Sequence, residues 1–117
     1  MESVLQKLMD TMADVLLEKK AETVVGLDIH EMTVITDGFL ICSGRNQIQV
    51  KALADALEDK LAEDMGLMPR GKEGYPAGRW VILDYSDIVV HIFHKEDREF
   101  YNLERLWDNG ANRKSYE

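Results

Sequence analysis

The segment 80–93, WVILDYSDIVVHIF, constrains the fold more than any other part of the chain, because two apolar runs flank a short polar stretch. Side chains at alternate positions of a strand point to opposite faces, and here both sets are mainly apolar. That pattern is typical of a sheet covered on both sides. The residues between the runs, DYSD at 84–87, include short polar side chains that favour a turn. We therefore predict a central hairpin with strands at 80–84 and 88–93.

Three helices are predicted from apolar residues that recur at helical spacing. The first covers about 3–19, with Ser3 and Gln6 in the form of a capping box. The second covers about 47–65 and ends at Gly66, which favours a left-handed C-terminal cap. The third follows the hairpin, and its apolar stripe consists of Phe100, Leu103, Leu106 and Trp107.

Further strands are predicted from β-prone runs at 23–29, 39–42 and 67–68. With the hairpin, the order along the chain is helix, two strands, helix, three strands and helix. This order predicts an α/β (α+β) fold with a mixed five-stranded sheet flanked by helices. We expect a single domain over 1–107, followed by a flexible C-terminal tail over 108–117, which lacks apolar periodicity.

The charge of the chain limits its partners. Asp and Glu together number 22 against 14 for Lys and Arg, so the formal net charge is −8. Because phosphate backbones are bound by patches of Lys and Arg, we expect no extensive direct binding to nucleic acid. The same charge would steer the protein toward a basic partner protein. The plainer interpretation is that the charge only keeps the protein soluble.

Cysteine usage and the N-terminal sequence indicate a compartment. Cys42 is the single cysteine of the chain, which excludes an intrachain disulfide and favours a reducing environment. The N-terminal sequence MESVLQKLMD resembles neither a signal peptide nor a transit peptide. No apolar run approaches the roughly 20 residues of a membrane span. We expect a cytoplasmic protein that does not associate with membranes.

The turn at Ser43 and Gly44 is the strongest candidate for catalytic chemistry. It lies between a strand and a helix start, where free backbone N–H groups can hold a phosphate. In nucleotidyltransferases such a turn works with two carboxylates that hold metal ions. Here Asp28 is followed two residues later by His30 rather than by a second acid. We favour an ordinary helix cap, and a nucleotidyltransferase-like enzyme or nucleotide sensor is the alternative.

The histidines and the cysteine do not form a convincing site. Strand spacing places His91 and His94 on opposite faces, and no further pair of metal ligands is evident. Cys42 lies in mid-strand without an adjacent base, which favours a packed thiol over a nucleophile. We therefore predict no catalytic residue, no metal site and no cofactor.

Three segments resemble the ribosome silencing factor (Iojap-like) family: LDIHEMTVITDGFLICSGRNQIQVKALAD, EGYPAGRWVILDYSDIVVHIF and REFYNLERLW. The resemblance implies a nucleotidyltransferase-like fold without the catalytic carboxylate pair. It also implies a non-enzymatic factor that binds the large ribosomal subunit through ribosomal protein fourteen (uL14), blocks joining of the small subunit and represses translation. The signature positions that match are Asp37, Ser43, Gly44, Trp80, Asp84, Asp87, His91, Arg98, Tyr101 and Glu104.

The resemblance and the residue chemistry together predict a partner-binding surface. Its candidate residues are Trp80, Asp84, Tyr85, Asp87, His91, Arg98 and Tyr101. We hypothesise that Trp80 and Tyr85 provide an apolar anchor. In this hypothesis Asp84, Asp87 and the acids of the second helix steer a basic partner. The two-faced apolar strands also allow a homodimer.

Overall fold

The computed structural model describes residues 3–116, in which four helices and six strands form an α+β fold. The helices are α1 (Val4–Glu18), α2 (Gln47–Met65), α3 (Lys95–Tyr101) and α4 (Leu103–Trp107). The strands are β1 (Glu22–Asp28), β2 (Gly38–Gly44), β3 (Gly71–Glu73), β4 (Trp80–Asp84), β5 (Ile88–His94) and β6 (Arg113–Tyr116). None of the helices in the described part of the chain is both long and apolar enough to cross a membrane.

The strands form one mixed sheet in the order β3-β4-β5-β2-β1-β6. The β2–β5 pair at its centre is parallel, and the other neighbouring strands are antiparallel. The predicted hairpin of β4 and β5 is confirmed, as are a mixed sheet and flanking helices. The predicted number of five strands is wrong, since the sheet of the described residues has six.

Helices α1 and α2 cover one face of the sheet and form the larger core. Side chains from both helices pack against alternate residues of the central strands, including Val81 and Leu83 of β4 and Val90 of β5. Each large apolar side chain buried here contributes about 1.5–3 kcal/mol. The opposite face carries a smaller core around Ile41 and Phe93. The alternation of apolar residues in the hairpin predicted apolar packing on both faces of the sheet, and each face carries a core.

Local signals set the ends of α1 and α2. The Ser3 side chain accepts a hydrogen bond from the Gln6 backbone N–H, and the Asn46 side chain caps α2 in the same way. At the end of α2, Gly66 adopts a left-handed φ of 62°. The N–H of Leu67 then donates to the Leu61 carbonyl, which completes the helix cap. Leu67 is thereby held in the cap, and the predicted strand at 67–68 is wrong.

The third strand lies slightly later in the chain. Gly71–Glu73 pairs with β4 at the edge of the sheet, inside the glycine-rich segment that precedes Trp80. Gly74 ends this strand with a φ of 79°, and a side chain at this position would overlap the Trp80 carbonyl oxygen. Glycine is thus required for the close approach of the loop to β4.

The third predicted helix is interrupted. Asn102 takes a left-handed φ of 46°, so α3 ends there and the short α4 begins at the next residue. Asn tolerates this conformation better than most residues. The expected apolar stripe is consequently wrong in part: Leu103 and Trp107 pack against the smaller core, but Phe100 and Leu106 are exposed.

The C-terminal segment contributes to the sheet. Arg113–Tyr116 pairs with β1 as an edge strand, so the prediction of a flexible tail is wrong for these residues. The Tyr116 hydroxyl donates to the Asp10 carboxylate of α1 at 2.6 Å. The Asn112 side chain also donates to the Asp28 carbonyl at 2.9 Å. Contacts with elements distant in sequence hold this segment.

Candidate protein-binding surface

Backbone pairing brings an apolar patch together on the sheet face opposite α1 and α2. In one row across the sheet Ile82 faces His91, and His91 faces Ile41. In the next row Asp84 faces Val89, and Val89 faces Phe39. Residues paired across neighbouring strands share a face. We call this surface the Trp80 face, defined by Phe39, Trp80, Ile82, Val89, His91 and Tyr101.

The Trp80 face is only partly covered. Phe39, Trp80, Ile82 and Val89 are half-buried, and Tyr101 at the end of α3 is 51% exposed. By contrast, Val81, Leu83 and Val90 on the other face have no exposed surface. A partly exposed patch that is rich in aromatic side chains is typical of a site that binds another protein.

Trp80 lies at one end of this face and is held on three sides. Its ring stacks on Phe93 with a centroid separation of 4.6 Å and an angle of 28°. The ring of Tyr101, the last residue of α3, lies 5.0 Å away. The indole N–H donates a hydrogen bond to Nδ1 of His91 at 3.1 Å.

His91 is buried beneath this aromatic cluster. Only 6% of its surface is exposed, and burial lowers its pKa to about 4. Its ring meets Phe39 edge to face at 4.6 Å. His91 is therefore a neutral part of the surface near pH 7 rather than a cationic contact.

Acidic residues lie at the other end of the Trp80 face, at the turn between β4 and β5. The Asp84 carboxylate accepts hydrogen bonds from the Ser86 N–H at 2.8 Å and from Arg70 at 3.2 Å. Asp87 and Asp37 are both exposed, and the Asp37 N–H donates to the Asp87 carbonyl. This arrangement gives the apolar patch an acidic rim that attracts basic groups.

Tyr85 does not belong to this surface. It is 5% exposed and packs in the larger core, on the side of Val81 and Leu83. Burial raises the pKa of its hydroxyl to about 12. Because Trp80 and Tyr85 point to opposite faces of the sheet, they do not form the joint anchor that we hypothesised.

Arg98 is likewise buried, and its contacts are structural. It pairs with Glu104 at 2.8 Å and donates to the Thr23 carbonyl at 2.5 Å. The pairing of β1 with β2 is irregular at this point, so the Thr23 carbonyl is available to the guanidinium. Arg98 thus connects α3, α4 and β1, and at 9% exposed it offers little surface to a partner.

Ser43 and Gly44 are the last residues of β2, so the turn predicted at these two positions is wrong. Their polar groups are occupied by other protein groups. The Ser43 hydroxyl donates to the Glu22 carbonyl at 3.3 Å and lies 3.4 Å from Arg98. At the start of α2, the Arg45 N–H donates to the Gln49 side chain at 2.7 Å. A cradle for phosphate needs such groups to be free. The residue that caps α2 is Asn46, not Ser43. The geometry gives no support to the nucleotide alternative.

The other candidate groups are also accounted for. His94 accepts a hydrogen bond from the Glu96 N–H and caps α3, while His91 accepts one from Trp80. Cys42 is fully buried, and burial raises the pKa of its thiol to about 12. Among residues 3–116, no three metal-binding side chains form a group that could hold an ion.

Sequence reasoning did not select Phe39, Ile82 and Val89 as members of the surface. Their alternation within apolar strands was assigned to burial on both faces. The length of the last helical segment could have identified them. Because α3 and α4 together are too small to cover six strands, part of that sheet face must stay exposed. That signal was hidden because Asn102 was expected to lie inside one continuous helix.

Comparison with known proteins agrees with the fold and the sequence motifs. Residues 2–117 match the sequence model of a family described as ribosomal silencing factor during starvation. The ribosomal silencing factor of Halalkalibacterium halodurans is 44% identical over 102 residues, which span 87% of this chain and 86% of that protein. The Bacillus subtilis factor is 42% identical over 90 residues, covering 77% and 75%.

A solved structure gives the same result. The crystal structure of a Chromobacterium violaceum protein superposes with a TM-score of 0.85 at 31% identity, and the match covers 90% of this chain and 87% of that one. The chain belongs to the ribosomal silencing factor family.

Proposed function

We propose that this protein represses translation by binding the large ribosomal subunit through the Trp80 face, with ribosomal protein fourteen (uL14) as its direct contact. Membership of the silencing factor family supports a role in silencing translation. The observation that carries the choice of surface is the incompletely covered aromatic patch with acids at its rim. A cytoplasmic location follows from this proposed target.

The chemistry of the surface favours a basic protein over exposed RNA. The net charge of −8 repels phosphate, and Asp37, Asp84 and Asp87 lie together at the rim. Such charges accelerate encounter with a basic surface, while the apolar centre contributes most of the affinity. Trp80 contacts the rings of Phe93, His91 and Tyr101 and is the expected anchor.

The acids of α2 take a smaller part than we hypothesised. They lie in the helical layer on the opposite side of the sheet, and several are engaged locally. Glu58 pairs with Lys72 at 2.7 Å, and Asp64 pairs with Lys60 at 3.3 Å. These groups add to the net charge of the protein but do not border the Trp80 face.

The proposed mechanism requires binding alone. A domain bound where the small subunit must dock excludes that subunit by its volume. Inhibition then depends on occupancy, and therefore on the affinity and concentration of the factor. No step of this mechanism uses a catalytic group, a metal ion or a cofactor.

Sedimentation with isolated ribosomal subunits, followed by a subunit-joining assay, tests the proposal. The wild-type protein should sediment with large subunits, not with small ones, and should reduce joining. Trp80→Ala should weaken binding by roughly 30-fold or more, the loss expected of an interface hot spot. Met65→Ala is the matched control, because Met65 is a half-exposed apolar residue of α2, on the other side of the sheet.

The outcomes separate the parts of the proposal. Equal binding by folded Trp80→Ala and Met65→Ala would contradict the assigned surface. Binding to large subunits without any effect on joining would contradict the steric mechanism. Crosslinking to a protein other than ribosomal protein fourteen would contradict the assigned contact. Sedimentation velocity of the free protein tests the homodimer that the sequence allows.

A further inference from the structure

The indole N–H of Trp80 points into the protein. It donates to Nδ1 of His91 at 3.1 Å, and His91 is 6% exposed. An indole N–H can only donate, so Nδ1 must act as the acceptor and the proton of the neutral imidazole resides on Nε2. The exposed part of Trp80 therefore presents carbon atoms to a partner, because its one polar group is already bound.

The stacking contacts alone do not fix this orientation. Phe93 stacks on the indole at 4.6 Å, and Tyr101 contacts it at 5.0 Å. Both contacts would also be possible if the indole were flipped so that its N–H pointed outward. A hydrogen bond has a direction and distinguishes the two orientations. His91 supplies that direction, and its own ring is held by β5 and by the edge-to-face contact with Phe39.

His91 is an unfavourable residue for a position that only needs packing. Its Nε2 atom is buried and has no hydrogen-bond partner among the described residues. Its neighbours in the smaller core, such as Phe93 and Ile41, are apolar. A buried polar group that lacks a partner lowers stability, and each such group calls for an explanation. The bond that His91 makes to Trp80 provides one.

We propose that His91 is a positioning residue that locks the Trp80 indole with its N–H inward, so that the Trp80 face offers the partner a preoriented carbon surface. This inference rests on the proposed function, because it assigns a role within the same binding surface. Preorientation increases affinity by removing the cost of ordering the side chain during binding. The partner group that packs on Trp80 is accordingly an aliphatic or cationic side chain, not a hydrogen-bond acceptor.

The test begins on the free protein, with nuclear magnetic resonance of its indole N–H groups. Trp80 and Trp107 give two indole signals, which Trp107→Phe assigns. In His91→Leu the Trp80 indole proton should shift upfield and exchange faster with solvent, because its acceptor is gone. His91→Asn is the matched variant, since its side-chain oxygen can take the place of Nδ1 and should restore slow exchange.

The second arm measures affinity for isolated large ribosomal subunits. His91→Leu should bind roughly two- to tenfold more weakly than wild type, the range expected for one lost hydrogen bond. His91→Asn should recover most of the affinity. A general loss of packing would not follow this order, because Leu suits the apolar surroundings of His91 better than Asn does.

Each outcome bears on the inference. An unchanged Trp80 indole signal in folded His91→Leu would overturn the lock. A released indole with unchanged affinity would overturn its role in binding. If His91→Leu does not fold, His91→Gln takes its place, because its acceptor lies farther along the side chain. Slow exchange of the Trp80 indole proton in wild type and fast exchange in His91→Gln would support the proposed orientation, and equal exchange rates would overturn it. If the wild-type protein does not bind large subunits, the proposed function fails, and the indole signals still decide whether His91 orients Trp80.

Discussion

Acidification should destabilise this protein through His91 before its carboxylates are protonated. Burial lowers the pKa of His91 to about 4 in the folded state, against an ordinary value of 6.5. Below pH 6.5 the His91 imidazole is therefore protonated in the unfolded chain, whereas in the folded protein it stays neutral down to about pH 4. The contribution of His91 to stability is present above pH 6.5 and is lost as the pH falls through this window.

The size of the effect follows from the two pKa values. Between about pH 7 and about pH 5 the free energy of unfolding should fall by about 2 kcal/mol through His91 alone. Exposed His30 acts in the opposite direction, because its hydrogen bond with Asp28 raises its pKa. Protonation of His30 thus favours the folded state as the pH falls, and the net decrease in wild type is smaller than that from His91.

Urea denaturation at several pH values within this window, for wild type and His91→Leu, isolates the contribution. The variant keeps His30 and every carboxylate but lacks the buried imidazole. The difference in unfolding free energy between the two proteins should change by about 2 kcal/mol over the window, in favour of the variant at the acidic end. Parallel profiles for the two proteins would refute the reasoning, because they would show that His91 titrates equally in both states.

Three further predictions concern stability and are measured by urea denaturation. Gly74→Ala should lower the unfolding free energy by clearly more than the roughly 1 kcal/mol expected for Gly66→Ala. Both glycines have positive φ, but only at Gly74 would the new methyl group overlap the Trp80 carbonyl. Equal losses in the two variants would contradict this reasoning. Arg98→Met should lower the unfolding free energy by about 3 kcal/mol, because Glu104 loses the closer of its two arginine partners and the Thr23 carbonyl loses a donor. A loss below about 1 kcal/mol would show that the ion pair is dispensable. Tyr116→Phe should lower the unfolding free energy by about 1–2 kcal/mol, because the hydroxyl donates to a carboxylate of α1, and an unchanged value would mean that β6 does not depend on that bond.

The local patterns of the chain were sufficient for its regular elements. The second helix was predicted at 47–65, as observed, because its apolar spacing and its final Gly66 indicate the same boundaries. The hairpin strands were predicted from their two apolar runs and the polar turn between them. The tail was mispredicted, because β6 is short, is mostly polar and forms only by pairing with β1. Such an edge strand leaves little periodicity in its own sequence.

The candidate surface was predicted less completely than the fold. Trp80, Asp84, Asp87 and Tyr101 lie on or beside the Trp80 face, as expected of partner-binding candidates. Whether a partner contacts them stays a prediction. Tyr85 was misplaced because it follows the last residue of β4, and only the packing of the turn shows which face it joins.

The sequence by itself determined the family, the hairpin, the main helices and the acidic charge, because these depend on motifs, periodicity and composition. The tertiary structure alone decided which apolar residues lie between two layers and which lie on a partly open face. Alternation along a strand is the same in both cases, and the difference depends on whether a distant element covers that face. Here Asn102 breaks the last helix, and α3 and α4 cover only part of the sheet. The Trp80 face results from that incomplete cover.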